Sequence, residues 1–409
     1  MEELIMEELD WVRRLNYHGS MASGAKNIVP IDHYELIDLA ITGTGLSDFG
    51  DDLWQRQYQV YIERLNHINK VHLLGRIRIK TLLLNGLMNR LLIIEKIKRA
   101  PEIKNEPIKK PIFITGLPRT GTTILFSLLS LDPTLRSPKG YEVASPAENA
   151  ARSRKEKINS EQRAQCLFDF EMDIHRGVKS MHNHRQDYSV ECQNIMLNTL
   201  TMFHREIIAD HTSQISYENS LSQYIWHKKV LQILQHKASQ KKWLLKCPSH
   251  INSLDKLFSV YPDAQILHIH RDPVLAIPSC AKLLKFLTES YCIKNEFQKT
   301  FEDFVSYLEI SLRKTIKYKQ LLELKGVTIH DIQLSDLETR PIDTIRDIYT
   351  KLGMTFTEDM KIEIISHLKN NQRQKHERYS KYPSVVTHPT FKLRNQFKFY
   401  TDYYHIPTK

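Results

Sequence analysis

Cysteine is sparse in this chain: Cys166, Cys192, Cys247, Cys280 and Cys292 are the five present in 409 residues. They form neither CxxC pairs nor a ladder, so a disulfide framework is not expected, and an odd, unpatterned set suits a reducing cytosol. Long apolar runs are missing too. The most apolar stretch, residues 81–97, is interrupted by Asn85, Asn89, Arg90 and Glu95, whereas a bilayer-spanning helix needs about 20 largely apolar residues. No transmembrane segment is expected, and peripheral membrane contact stays open. The opening residues, MEELIMEELDWVRR, are acidic and amphipathic, unlike the basic start of a signal peptide. A cytoplasmic protein is the resulting expectation. Internal repeats, low-complexity blocks and nucleic-acid-binding motifs are also lacking.

Positive charge is in excess. Lys plus Arg number 58 against 47 for Asp plus Glu, a formal net charge of +11. That favours an anionic ligand or surface. The basic residues are scattered rather than gathered into an arm, so nucleic acid is not an expected partner. At 41% apolar residues the chain can bury a large core, most simply one α/β domain with helical additions.

Residues 1–105 read as a helical extension, with periodic apolar positions in Leu53–Leu74 and Ile79–Ile97. The apolar face of residues 81–97 is read as core packing. Pro101, Pro107 and Pro111 then punctuate the entry to the main domain, residues 106–409. From residue 112 to about 335 strand and helix signals alternate. Strands are expected at Ile112–Thr115, Trp243–Lys246, Ala264–His268 and Val327–Leu334, and helices at Thr123–Leu131, Ile251–Tyr261, 275–287 and 297–324. A mixed, largely helical insertion fills about 150–240, and the tail after 336 is helical, then irregular and Tyr-rich. Strands separated by helices predict a central parallel β-sheet flanked by helices.

The densest chemical signal lies in PIFITGLPRTGTTILFSLLSLD, residues 111–132. Gly116-x-x-x-x-Gly121 followed by Thr122-Thr123 has the spacing of the ATP/GTP phosphate loop. Thr122 occupies the position that motif reserves for lysine, and the basic residue is Arg119, inside the loop. Backbone N–H groups and a helix N-terminus would still face an anion, but the triphosphate-binding lysine is gone. Two more strand ends carry cations: Lys246 in KCPSH and Arg271 in HRDP, with Ser279 eight residues beyond Arg271. An arginine fork and a serine hydroxyl two helical turns on can converge on one phosphate. Ligands in open parallel sheets bind outside the carboxyl ends of the strands. Two anion sites on one edge suit a nucleotide phosphorylated at both ends of its ribose.

Those motifs, in that order, resemble the sulfotransferases that use 3′-phosphoadenosine-5′-phosphosulfate (PAPS), specifically the bacterial-type branch. The resemblance runs through DFGDDLW (48–54), PIFITGLPRTGTT (111–123), YEVASP (141–146) and KWLLKCPSHINSLDKLFSVYPDAQILHIHRDP (242–273). It implies a P-loop-NTPase-like sulfotransferase fold, and transfer of a sulfuryl group to an acceptor hydroxyl by metal-independent in-line displacement. Pro118, Arg119, Thr120, Gly121, Thr122 and Thr123 would wrap the 5′-phosphosulfate, and Arg271 and Ser279 would hold the 3′-phosphate. Arg119 would stabilise charge on the bridging oxygen, with Lys246 as a second cation or acceptor-binding residue. Glu142, 23 residues after Arg119, and His250 in KCPSH are the two candidates for the base, Glu142 matching the better in spacing and local context. PAPS is the implied donor, 3′,5′-ADP the product, and a small-molecule or lipid-like hydroxyl compound the acceptor. No RKG loop closes the cofactor site; Lys375, Arg378 and Lys381 are its nearest substitutes.

Each element also has a plain structural reading. The Gly-bounded loop can be a Thr-capped turn, HRDP a strand-ending salt bridge, Lys246 a solvated strand end and Glu142 a helix-capping neighbour. His268 and His270 share a strand face, but no carboxylate or cysteine pattern completes a metal site, so they read as a structural pair. Two other functions compete: a phosphate-loop kinase, with Asp272 as a candidate magnesium ligand, and a non-catalytic nucleotide-binding protein on the same fold.

Overall fold

The computed structural model describes residues 9–21, 24–52, 54–68, 70–149, 154–174, 187–197, 221–292, 297–378 and 390–408. Its centre is a five-stranded parallel sheet: β1 (Ile112–Thr115), β2 (Leu135–Arg136), β3 (Lys242–Lys246), β4 (Gln265–His270) and β5 (Ile329–Gln333), in the order β2-β3-β1-β4-β5. β1 therefore lies between β3 and β4, with Ile114 opposite Lys246 and Thr115 opposite His268. The sheet is apolar on both sides because helices cover both faces. Side chains alternate across it. Phe113, Leu245 and Ile266 pack with Val230, Leu231 and Leu257, whereas Ile112, Ile114, Leu244 and Leu267 pack with Leu125, Leu128, Ile345 and Ile348.

The N-terminal helices gather on the 27-residue helix Leu73–Arg99. His72 caps its start by accepting from the Gly75 N–H at 2.9 Å, and Lys96, Lys98 and Arg99 complement the negative end of its dipole. Pro101 prevents continuation. Its apolar stripe is core: Leu83, Leu87 and Leu91 are fully buried against Leu36, Tyr58 and Ile62, while Ile93 and Ile97 join the core under the sheet. DFGDDLW serves the same packing. Phe49 O accepts from Arg90 Nε at 2.7 Å, and the Arg90 guanidinium lies over the Trp54 ring. Among the described residues no helix is long and apolar enough to cross a membrane.

Four strands fall where their apolar runs predict, with two differences. β4 extends to His270, two residues further than expected, because β5 pairs with it through His270↔Gln333. β2 was not expected at all: a two-residue strand has no period of its own and exists because Lys242 and Trp243 pair with it. The tail corrects the sequence reading as well. Thr390–Gln396 and Lys398–Tyr403 are helices rather than irregular chain. Phe397, Tyr400 and Tyr404, spaced three and four apart, form one buried stripe beside Leu117 and Ile277. Aromatic richness masked a helical period.

Two glycines bend the chain from β1 into the next helix. Gly116 has φ 151°, and a Cβ there would meet the Ile269 carbonyl oxygen at 2.4 Å. That atom is backbone in a central strand, so it cannot move aside. Gly116→Ala is accordingly expected to cost about 2 kcal/mol or more and to lower the thermal midpoint; an unchanged midpoint would show that the loop is free to rise off β4.

Candidate active site

The loop between β1 and the helix Thr122–Leu129 is set by the positive φ of Gly116, Arg119 (69°) and Gly121 (98°). Thr120 is fully buried and donates its hydroxyl to Leu117 O at 2.7 Å. The resemblance implied that Thr120 helps wrap the donor's phosphosulfate; here its hydroxyl braces the loop from inside. Thr122 is also buried, Thr123 is exposed, and Pro118 and Arg119 are half-buried.

Both flanking strand ends reach this loop. Arg271, just past β4, donates from Nη1 to the backbone carbonyl of Arg119 at 2.9 Å. Arg119 in turn donates from Nε to Ser279 Oγ at 3.0 Å, in the helix Pro273–Glu289. Asp272 starts that helix by accepting from the Val274 N–H at 3.0 Å, with Pro273 at its first position. So Arg119, Arg271 and Ser279 meet in one place. On the other side Lys246, at the end of β3, donates to Thr123 Oγ1 at 3.3 Å and forms an ion pair with Glu191. The Lys246 side chain is 3% exposed and that of Glu191 31%. Glu191 was missed in the sequence. It is 55 residues from Lys246 in a mixed segment, where no local period marks it.

The two candidate bases are placed differently. Glu142 is committed on both oxygens: Oε1 accepts from Arg136 Nη2 at 2.8 Å and Oε2 from the Lys139 N–H at 3.0 Å. Its capping reading is what the geometry displays. His250 is fully buried in the turn Pro248–Ser253, edge-on to Phe113, with Nδ1 bonded to Tyr224 Oη at 2.7 Å. Burial, and then His227 beside it, push its basicity well below the usual 6.5. A ring sealed in the core cannot meet an acceptor hydroxyl, so the structure does not bring His250 to the loop. Asp272 is likewise occupied, capping a helix and pairing with Arg394 at 3.3 Å. Lys381 lies outside the described residues, as do the side chains of Lys375 and Arg378.

His268 and His270 acquire a carboxylate after all. Asp331 of β5, 61 residues beyond His270, brings its oxygen within a group of donor atoms all less than 4.8 Å apart. His270 and Asp331 are engaged, whereas the buried His268 Nε2 has no hydrogen-bond partner among the described residues. His270 bonds Tyr400 Oη at 2.7 Å and Asp331 Oδ1 at 3.0 Å, and the Lys319 ammonium pairs with Asp331. That ammonium occupies the place of a cation, so a metal does not fit, and the pair acts as a strut under the Arg271 strand end.

Residues 111–358 match the profile of the Sulfotransferase family. With the match covering more than half of the chain, on a parallel sheet with a phosphate-type loop at its edge, the protein belongs to the sulfotransferase family. Among curated relatives, omega-hydroxy-beta-dihydromenaquinone-9 sulfotransferase Stf3 of Mycobacterium bovis (strain ATCC BAA-935 / AF2122/97) is 27% identical over 254 residues, 60% of this chain and 63% of that protein. The Stf3 of Mycobacterium tuberculosis (strain CDC 1551 / Oshkosh) aligns equally. The chain thus spans less than two-thirds of the length of these relatives. In solved structures the fold matches sulfotransferase STF1 from Mycobacterium tuberculosis H37Rv, with TM-score 0.72, 23% identity, and 90% of this chain and 99% of that one covered. It also matches sulfotransferase STF9 from Mycobacterium avium, with TM-score 0.72, 20% identity, and 92% and 97% covered.

Burial of imidazoles near the site has a consequence for stability. His227, His250 and His268 are all held neutral, with His227 pushed down to about 3 by burial. Their folded-state values are depressed, so below the ordinary 6.5 the unfolded chain takes up protons that the folded chain refuses. Stability is therefore full above about pH 6.5 and is lost as pH falls toward 3, by up to ~1.4 kcal/mol per pH unit for each group. His227→Leu is expected to flatten the acid side of a plot of thermal midpoint against pH; an unaltered slope would show that His227 is not held neutral.

Proposed function

We propose that this chain transfers the sulfuryl group of PAPS to an acceptor hydroxyl. The observation that carries the reading is the hydrogen bond from Arg271 to the Arg119 carbonyl, with Arg119 reaching Ser279. It joins a phosphate-type loop to an Arg–Ser pair at the neighbouring strand end, which supports a nucleotide with two separate phosphate groups. Arg271 and Ser279 would hold the 3′-phosphate. The 5′-phosphosulfate would lie on the loop, against the N–H groups of Gly121, Thr122 and Thr123, with Pro118 and Arg119 over it.

Sulfuryl transfer needs in-line placement of donor and acceptor and positive charge at the leaving oxygen. Arg119 and Lys246 would supply that charge as fixed side-chain cations. Mycobacterial Stf3 is named for a hydroxylated menaquinone, which supports a lipid-like hydroxyl acceptor here over a small phenol. A cytoplasmic enzyme in peripheral contact with a membrane would suit such an acceptor.

The kinase reading loses both supports: Thr122 replaces the phosphate-loop lysine, and Asp272 is committed to Val274 and Arg394. Titration calorimetry with 3′,5′-ADP and with ATP·Mg decides between donor classes. 3′,5′-ADP should bind the more tightly, and the reverse order would remove the PAPS reading. Arg271→Ala should weaken 3′,5′-ADP by about 10–100-fold, the range for losing a charged hydrogen bond of ~1.5–3 kcal/mol, and 5′-AMP hardly at all. Equal losses would refute the 3′-phosphate assignment.

A further inference from the structure

Neither glutamate nor histidine singled out by motif is available to take a proton. Glu142 has both oxygens engaged and His250 is fully buried. A third group stands beside the loop. Glu191 contacts the Lys246 ammonium, and the same ammonium reaches Thr123 Oγ1 in the phosphate-loop helix at 3.3 Å. Lys246 thus stands between a loop hydroxyl and a carboxylate. The two members of the pair differ in access: the lysine is sealed in, and about a third of the glutamate side chain faces outward.

The main chain leading into Glu191 is held as well. Gly140 N–H bonds Tyr188 O at 3.1 Å, and Val190 N–H bonds Pro138 O at 2.9 Å. These bonds lash the chain just before Glu191 to the turn after β2. On the other side, Cys192 is fully buried in the core under the sheet. A glutamate whose chain is held on both sides, with about a third of its side chain exposed, differs from a surface residue that happens to meet a lysine.

We propose that Glu191 is the proton acceptor for the attacking hydroxyl, with Lys246 spanning the donor and acceptor sides of the transfer. This rests on the PAPS reading above. In the step, the acceptor oxygen forms a bond to sulfur while the bond between sulfur and the bridging phosphate oxygen breaks. The acceptor proton passes to the Glu191 carboxylate. The electron pair of the broken bond stays on the 5′-phosphate of 3′,5′-ADP, where Arg119 and Lys246 face the charge. Withdrawing a proton at one end and stabilising charge at the other is what a transition state drawn out along one line demands.

Glu191→Gln separates the role from mere support, because the amide oxygen can still accept from Lys246 but is far less basic. PAPS cleavage is followed with stoichiometric enzyme, using water as acceptor and then geranylgeraniol in detergent micelles, alongside calorimetry with 3′,5′-ADP. Glu191→Gln should slow cleavage with both acceptors by about 10²-fold or more, keep 3′,5′-ADP affinity within about threefold of the unaltered chain, and abolish the acid limb of the pH–rate profile. Glu191→Asp should recover part of the rate and the acid limb. Cleavage by Glu191→Gln at the original rate would overturn the assignment, and so would loss of 3′,5′-ADP binding in both variants, which would make Glu191 a structural strut. Failure of the unaltered chain to bind 3′,5′-ADP or to cleave PAPS at all would instead overturn the sulfotransferase reading beneath it.

Discussion

A guanidinium hydrogen bond to a backbone carbonyl holds the site together. Arg271 leaves β4 and fixes the carbonyl of Arg119, a residue whose φ of 69° is uncommon outside glycine. The neighbouring constraint is steric: Gly116 lies so close to Ile269 O that no side chain fits. Loop and strand end are one rigid part. Anything bound by Arg271 is therefore registered against whatever the loop holds.

Around that part, two buried ammonium groups have carboxylate partners. Lys246 is sealed beside Glu191 and Thr123, and Lys319 beside Asp331 and His270. Burying a lone ammonium is costly, and a paired one costs less without necessarily adding stability. Such pairs are better understood as fixing where a cation stands than as holding the fold together. The apolar layers on both faces of the sheet carry the fold. The network of His270, Asp331, Lys319 and Tyr400 includes the residue preceding Arg271, so the C-terminal helices brace this strand end from behind.

In the proposed site, positive charge would come from three different strand ends or loops, carried by Arg119, Lys246 and Arg271. Each has its own tether, respectively Ser279, Thr123 with Glu191, and the Arg119 carbonyl. Preorganised cations of this kind need little rearrangement when charge develops on a leaving oxygen. The net excess of basic residues across the surface adds a long-range attraction for an anionic donor.

The parallel α/β sheet, four of its strands and the phosphate loop were legible in the chain alone. Those features follow from local rules: a buried parallel strand is a short apolar run, and a glycine pair at fixed spacing sets a turn. Arg119, Arg271 and Ser279 could be picked out for the same reason, since sheet topology places successive strand ends on one edge. What the linear order could not decide is which distant groups become neighbours. Glu191 meets Lys246 across 55 residues, Asp331 joins His270 across 61, and the Tyr400 stripe folds back onto β4 across 130. Two plausible bases dropped out for different reasons: tertiary burial sealed His250, whereas the nearby Arg136 and Lys139 amide claimed Glu142 in a local capping arrangement. Local propensity writes the elements and their turns. Packing alone determines which titratable groups are exposed, paired or silenced, because solvation and partner distance are properties of three dimensions.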